Sequence, residues 1–209
     1  MRYSTEDKIR LILVRHGAVR ANLEHRYIGK TDDSLADEGV SKLMEGVSAG
    51  IYPSADLVFT SPMKRCIETA GIIYPDKTPV IIPEWSEIDF GRFEGKDHNE
   101  LKNDRDYQAW IDSNGRLPFP DGEDRGTYIK RCIGGFERMS NSLGGDLKSV
   151  AMIVHGGTIM SLLSTLYGGD YYDYLTPNGE GYTCTLTVQN GSFIISDVDR
   201  LGLMPCINV

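Results

Sequence analysis

Two histidines in this sequence stand at the same kind of place. His16 in "LILVRHG" and His155 in "VAMIVHGG" each come after an apolar stretch and before a glycine. The sequence also offers two guanidinium groups, Arg15 directly before His16 and Arg65 in "TSPMKR". Arginine forks and the free N–H groups of helix N-termini are what a phosphate or phosphoryl group requires. A neutral imidazole is a competent nucleophile near pH 7 when its other nitrogen keeps a proton, tied to a backbone carbonyl or a carboxylate. The chemistry this set would do is phosphoryl transfer, with His16 as nucleophile and His155 as a donor to the phosphoryl oxygens. A leaving alkoxide also needs a proton. Glu87 in "EWSEIDFGRFEG" is the best-placed carboxyl, because it follows a short apolar run at residues 79–83. Like-charge repulsion from a bound dianion would favour its protonated form.

These residues converge only if the chain supplies strands that end side by side. Residues 9–14, 56–61, 79–83 and 149–155 read as strands, and their apolarity is continuous rather than alternating, as expected of strands covered on both faces. Helical spacing follows them: Leu35, Val40, Leu43 and Val47; Ile67, Ala70 and Ile73 after Pro62; Ile159, Leu162, Leu163 and Leu166 after Gly157. Pro62 is expected just inside a helix start. Tyr128, Ile129, Cys132, Ile133, Phe136 and Leu143 fall on one further helical face. The predicted fold is α/β, a three-layer α/β/α sandwich with a mostly parallel sheet, whose ligand site lies outside the carboxyl ends of the strands. "YTCTLTVQNGSFIISDV" alternates polar and apolar residues around Asn190-Gly191, predicting an antiparallel hairpin near an edge of the sheet. Residues 96–125 have weak periodicity and read as a cap insertion within one domain spanning 1–209.

Bulk properties narrow the partners. A chain of 209 residues, 40% hydrophobic and 25% charged, has the composition of an ordinary globular domain. With 30 acidic against 22 basic residues, net charge −8, its field repels polyanions, so neither nucleic acid nor a membrane surface is expected as partner and any anion site must be built locally. The N-terminus is polar, and the apolar stretch behind it is too short for a signal-peptide core or a membrane span, which predicts a cytoplasmic protein. Cys66, Cys132, Cys184 and Cys206 lack Cys-x-x-Cys spacing, so reduced, buried thiols are expected rather than a zinc or redox site.

In order along the chain, "LVRHG", "SPMKRCIETA", "EIDFGRFEG" and "VHGGT" resemble the motifs of the histidine phosphatase superfamily, in the branch with cofactor-dependent phosphoglycerate mutase and small phosphatases such as α-ribazole phosphatase. The resemblance runs from Leu13 to about Thr158. It implies a phosphohistidine intermediate on His16 and a phosphate pocket of Arg15, Arg65 and His155, with Glu87 as acid and then as base for water. It further implies that Asn22 touches phosphate and that "NLEHRYIG" is a substrate-facing loop, making Arg26, Ile28 and Gly29 weaker candidates. No metal and no cofactor are implied. The chain departs from the pattern at Ala18 and Val19, where the family usually has Glu then Ser or Thr, and at Ser34, which replaces a frequent proline.

Three functions share these residues. The favoured one is a metal-independent phosphomonoesterase acting on a small phosphate ester, with α-ribazole 5′-phosphate a candidate by resemblance. A mutase would return the phosphoryl group to substrate, but the acidic-rich 96–125 segment and a tail with little basic character lean against a bisphosphate cofactor. A non-catalytic phosphate-recognition module is suggested by Ala18 and Val19, yet binding alone has no need of a nucleophile and an acid. A separate decoy is "CIGGFER", which fits the Cys-x-x-Gly-x-x-Arg loop of cysteine-dependent phosphatases. What precedes Cys132 is polar and helical in pattern, so Cys132 is expected to face the core from mid-helix. A sheet-edge hairpin could support a homodimer. His25 and His98 are expected to be structural, and packing is the expected role of Trp110 and Phe119.

Overall fold

The apolar runs become the centre of one sheet. In the computed structural model, which describes residues 7–144, 146–189 and 192–202, strands β1 (Asp7–Arg15), β2 (Leu57–Thr60), β3 (Val80–Ile81), β4 (Ser149–Val154), β5 (Gly181–Gln189) and β6 (Ser192–Leu201) form a six-stranded sheet in the order β3-β2-β4-β1-β5-β6. β3, β2, β4 and β1 are parallel, whereas β5 and β6 add antiparallel. β4 lies between β1 and β2, which is why all six of its residues are buried.

Alternate residues of the central strands feed two cores. Ile12, Val14, Ala151 and Ile153 pack with Leu43, Cys66, Ala70 and Ile73 from α2 (Asp37–Ser48) and α3 (Lys64–Ile73). Leu11, Leu13, Met152 and Val154 pack with Phe136, Met139, Ile159 and Leu162 from α6 (Arg125–Ser142) and α7 (Gly156–Leu166). Each fully buried aliphatic side chain contributes about 1.5–3 kcal/mol relative to exposure. The expected three-layer α/β/α fold, mostly parallel with a C-terminal antiparallel hairpin, is therefore present. β6 is an edge strand and Gln189 pairs with Ser192; Asn190 and Gly191, the predicted turn, lie outside the described residues, as does Cys206.

Several local expectations need correcting. Residues 79–83 were expected as a strand covered on both faces, but β3 is two residues long, at the other sheet edge, with Val80 and Ile81 48% and 49% exposed. The prolines on either side cannot donate to the ladder, which limits its length. On α3, Ile67 is exposed and the buried face is Arg65, Cys66, Thr69, Ala70 and Ile73; the helix starts at Lys64 with Met63 as N-cap, leaving Pro62 outside its first turn. On α2, Val47 is exposed, while Gly39 and Gly46 join Leu43 on the buried face. A Cβ on Gly39 would stand 2.2 Å from the Ala18 carbonyl oxygen, so α2 packs through glycines that an apolar period does not reveal.

Residues 96–125 carry two short helices, α4 (His98–Leu101) and α5 (Arg105–Asp112), N-capped by Asp97 and Asp104. With α1 (Arg20–Leu23) they are the remaining α-helices among the described residues. Their apolar residues join a third cluster, with Phe93, Leu101, Tyr107 and Phe119 beside Tyr128 and Cys132 of α6. Cys132 is fully buried in mid-helix and burial pushes its thiol up to about 12, so it packs rather than opening a phosphate loop. Among the described residues no helix is long and apolar enough to cross a membrane.

Candidate active site

Sheet register brings the two histidines together. Arg15, the last residue of β1, pairs with Val154, the last residue of β4, so His16 and His155 leave adjacent strands at the same level. The His16 N–H donates to the Val154 carbonyl at 2.9 Å. The two imidazole rings lie edge to face, 5.2 Å between centroids. His155 is the N-cap residue of α7 and Arg65 sits in the first turn of α3, so both helix starts face this corner.

His16 is buried, and its Nδ1 lies 2.7 Å from the Gly17 carbonyl oxygen. A carbonyl only accepts, so Nδ1 carries the proton and Nε2 keeps the lone pair. Burial, then the charges of Arg65 and Arg15, push its pKa well below the ordinary histidine value, which keeps the ring neutral at pH 7. His155 is likewise lowered by burial, by Arg65 and by His16. Its Nε2 is 2.7 Å from Ser61 Oγ and its Nδ1 is 3.7 Å from Glu87 Oε2, a polar contact rather than an ion pair because the ring is neutral.

Two arginines put positive charge beside His16. Arg15 Nη1 donates to the Thr176 carbonyl at 2.8 Å, and burial lowers its pKa from the usual arginine value without discharging it at neutral pH. Arg65 is fully buried, with Nη1 and Nη2 donating to the carbonyls of Thr31 and Gly29 at 2.8 and 2.9 Å. The Nε of each is buried and has no hydrogen-bond partner among the described residues. The corner is thus electropositive and short of acceptors, in a protein whose net charge is negative.

Glu87 follows a 3₁₀ turn at Pro83–Trp85. Its Oε1 accepts from the Tyr128 hydroxyl at 2.7 Å and from the Ile88 N–H at 2.9 Å. Arg131, one turn beyond Tyr128 on α6, donates to the carbonyls of Glu84, Ser86 and Glu87 at 2.7, 2.6 and 3.0 Å and pairs with Glu123. This clamp fixes the loop that carries Glu87. Asn22 Oδ1 accepts from the Val19 N–H and from Asn178 Nδ2, and Asn178 also donates to the His16 carbonyl at 3.0 Å. At the departures from the family pattern, Val19 is fully buried and the Ala18 carbonyl accepts from the Ala36 N–H.

A cavity of about 290 Å³ opens onto this corner, with Arg15, His16, Asn22 and Glu87 at its polar end. Tyr27, Phe90, Trp110, Phe119, Tyr171 and Tyr172 line the remainder. Trp110 and Phe119, for which packing was favoured over lining a substrate pocket, do both, with rings 5.1 Å apart and a place in the cavity wall. Of the substrate-loop candidates, Ile28 lines the cavity, as does Arg26, but the Arg26 guanidinium is bound to Glu24, Glu100 and the Gly95 carbonyl. Gly29 is elsewhere: its N–H donates to the Glu94 carboxylate, and a Cβ there would stand 2.0 Å from the Ile88 carbonyl oxygen. His25 and His98 do not line this cavity. Sequence reasoning missed Ser61, Asn178, Tyr128 and Arg131. Ser61 and Tyr128 carried a weak signal, a strand-end hydroxyl and a phenol on a core-facing helix stripe that must find a partner; Asn178 had none.

A strand-end corner of two neutral histidines, two arginines and a carboxyl, on a parallel α/β sheet, defines a phosphoryl-transfer class of site, and similarity to known proteins agrees. Residues 11–196 match the family model of the histidine phosphatase superfamily (branch 1). The chain belongs to this superfamily and is one of its phosphatases, acting on a phosphate ester. It is 29% identical over 170 residues, covering 77% of this chain and 80% of the relative, to an adenosylcobalamin/α-ribazole phosphatase of Escherichia coli K12. It is 32% identical over 166 residues to the uncharacterized phosphatase PhoE of Bacillus subtilis 168, covering 76% of this chain and 77% of the relative. The crystal structure of the α-ribazole phosphatase from Shigella flexneri has the same fold, with a TM-score of 0.74 at 23% identity, over 90% of this chain and 95% of that one.

Proposed function

We propose that the protein hydrolyses small phosphate monoesters through a phosphohistidine on His16, with no metal. Nε2 of His16 attacks phosphorus and the bond to the ester oxygen breaks, while Glu87 delivers a proton to the departing alcohol. Water then attacks the phosphohistidine as Glu87 takes its proton, the P–N bond breaks, and inorganic phosphate leaves. Arg15 and Arg65 set the charge of the phosphoryl corner. Asn22 and His155 supply neutral donors, with Ser61 Oγ 2.7 Å from His155 Nε2. The observation that carries this reading is the Nδ1–H of His16 held by the Gly17 carbonyl at 2.7 Å, which leaves a lone pair on Nε2 of a neutral ring.

The cavity supports a substrate class. Its wall is aromatic, its Arg26 is already neutralised by Glu24 and Glu100, and its Arg125 lies over the rings of Tyr171 and Tyr172. An ester of an apolar or aromatic alcohol fits such a wall better than one with a second anionic group, such as phosphoglycerate. α-Ribazole 5′-phosphate, with its flat heteroaromatic body, is a candidate on this ground and from the names of the relatives. Residues 96–125 act as the cap over this cavity. The thiols of Cys66, Cys132 and Cys184 are buried, with no disulfide among the described residues, which is compatible with the reducing, cytoplasmic setting proposed here.

The test is release of phenolate from p-nitrophenyl phosphate in excess EDTA. Wild type and Cys132→Ser should turn over, and His16→Ala should lose about 10³-fold or more, as expected when a covalent nucleophile is removed. Wild-type activity retained in His16→Ala would overturn the mechanism.

A further inference from the structure

Glu87 has two carboxylate oxygens, and α6 treats them differently. Oε1 receives the Tyr128 hydroxyl at 2.7 Å and the Ile88 N–H at 2.9 Å, so both of its in-plane acceptor directions are taken. Oε2 is the oxygen on the His155 side. Tyr128 is fully buried, and burial together with the Glu87 carboxylate raises its phenol well above the ordinary value, so it donates at every working pH. A phenol has one proton; since Tyr128 gives it to Glu87, the Thr158 hydroxyl 3.0 Å away is the donor to Tyr128. Gly157 makes room for the arrangement, because a Cβ there would stand 2.9 Å from both Glu87 Oε1 and the Tyr128 hydroxyl. The Arg131 guanidinium lies 4.5 Å over the Tyr128 ring while gripping the backbone of the Glu87 loop.

We infer that Tyr128 is a positioning residue that occupies Oε1 of Glu87 and so confines the transferable proton to Oε2, the oxygen facing the phosphoryl corner. A free carboxylic acid can carry its proton on either oxygen, and half of those states would be unproductive for a leaving group on one side. The donor chain from Thr158 to Tyr128 to Glu87 removes the choice. This rests on the acid role proposed for Glu87.

The test uses leaving-group dependence. Protonation matters greatly for an alkoxide and little for p-nitrophenolate, so loss of acid function lowers kcat/KM for benzyl phosphate selectively. Tyr128→Phe should lower kcat/KM for benzyl phosphate about tenfold or more and for p-nitrophenyl phosphate by less than about threefold. Glu87→Gln should show the same split, larger. Adding Tyr128→Phe to Glu87→Gln should cost no more than about twofold further, since both act on one proton. Equal losses on the two esters, or full multiplication of the two effects, would reduce Tyr128 to packing and overturn the inference. Should Tyr128→Phe fail to fold, Thr158→Val decides in its place: a smaller loss confined to benzyl phosphate supports the donor chain, and unchanged or uniform rates overturn it. Wild-type rates in Glu87→Gln would instead sink the acid assignment itself.

Discussion

At the scale of single residues, the site depends on imidazoles that stay neutral. The Gly17 carbonyl decides the tautomer of His16, and burial beside Arg65 and Arg15 keeps it unprotonated. Both effects act on one ring, and they leave the proposed nucleophile with a lone pair that acid does not remove in the usual range. In ¹⁵N-detected titrations, His16 and His155 should remain neutral at pH 5.5, where an unperturbed histidine with a pKa near 6.5 is about 90% protonated. His16 should show the pattern of an Nδ1–H tautomer. Either ring titrating near 6.5 would contradict the electrostatic account.

At the scale of elements, Glu87, the proposed acid, is placed by helix α6 and by one close backbone approach. Arg131 and Tyr128 hold the Glu87 loop from one side, by its carbonyls and by its carboxylate. From the other side, Gly29 lets the segment carrying Arg65's acceptors run against the Ile88 carbonyl. Gly29→Ala places a methyl 2.0 Å from that oxygen, so the two backbones must separate. Overpacking of this kind costs about 1–3 kcal/mol. The expected result is a lower urea midpoint with unchanged m-value and a fall in turnover, because Ile88 adjoins Glu87. A variant as stable and active as wild type would show that the loop is free to shift.

At the scale of the whole molecule, two buried neutral histidines tie stability to pH. In the unfolded chain each takes up a proton near 6.5, whereas the folded chain resists it. Below that pH the unfolded state binds more protons, so stability declines as pH falls through the unfolded value. Each histidine contributes up to about 1.4 kcal/mol per pH unit until its own folded pKa is reached. Urea melts at pH 7 and 5.5 should show this loss, and it should shrink in His16→Gln, whose side chain does not titrate. An unchanged pH dependence in that variant would mean that the carboxylates alone account for the acid limb.

What the sequence determined by itself was the class of fold and the polar corner. Continuous apolar runs ending in Arg15-His16-Gly17 and His155-Gly156-Gly157 read as buried strands of a mostly parallel sheet with polar groups at their carboxyl ends, and these signals are local. Tertiary structure alone decided how the corner is held and what it faces. Asn178 reaches His16 across 162 positions, Tyr128 reaches Glu87 across 41, and the aromatic wall is gathered from Tyr27, Phe90, Trp110, Phe119, Tyr171 and Tyr172. Tyr128 stands on a helical stripe, but the period names its face and not its partner, because a long-range contact leaves no spacing in the chain. The same holds for α2, where glycine does the packing that an apolar count assigns to Val47, and for the strand at 79–83, where flanking prolines cut short what composition alone promised. Composition and period report which face an element buries; which side chain from another element arrives there is set by register and crossing, and those exist only once the chain is folded.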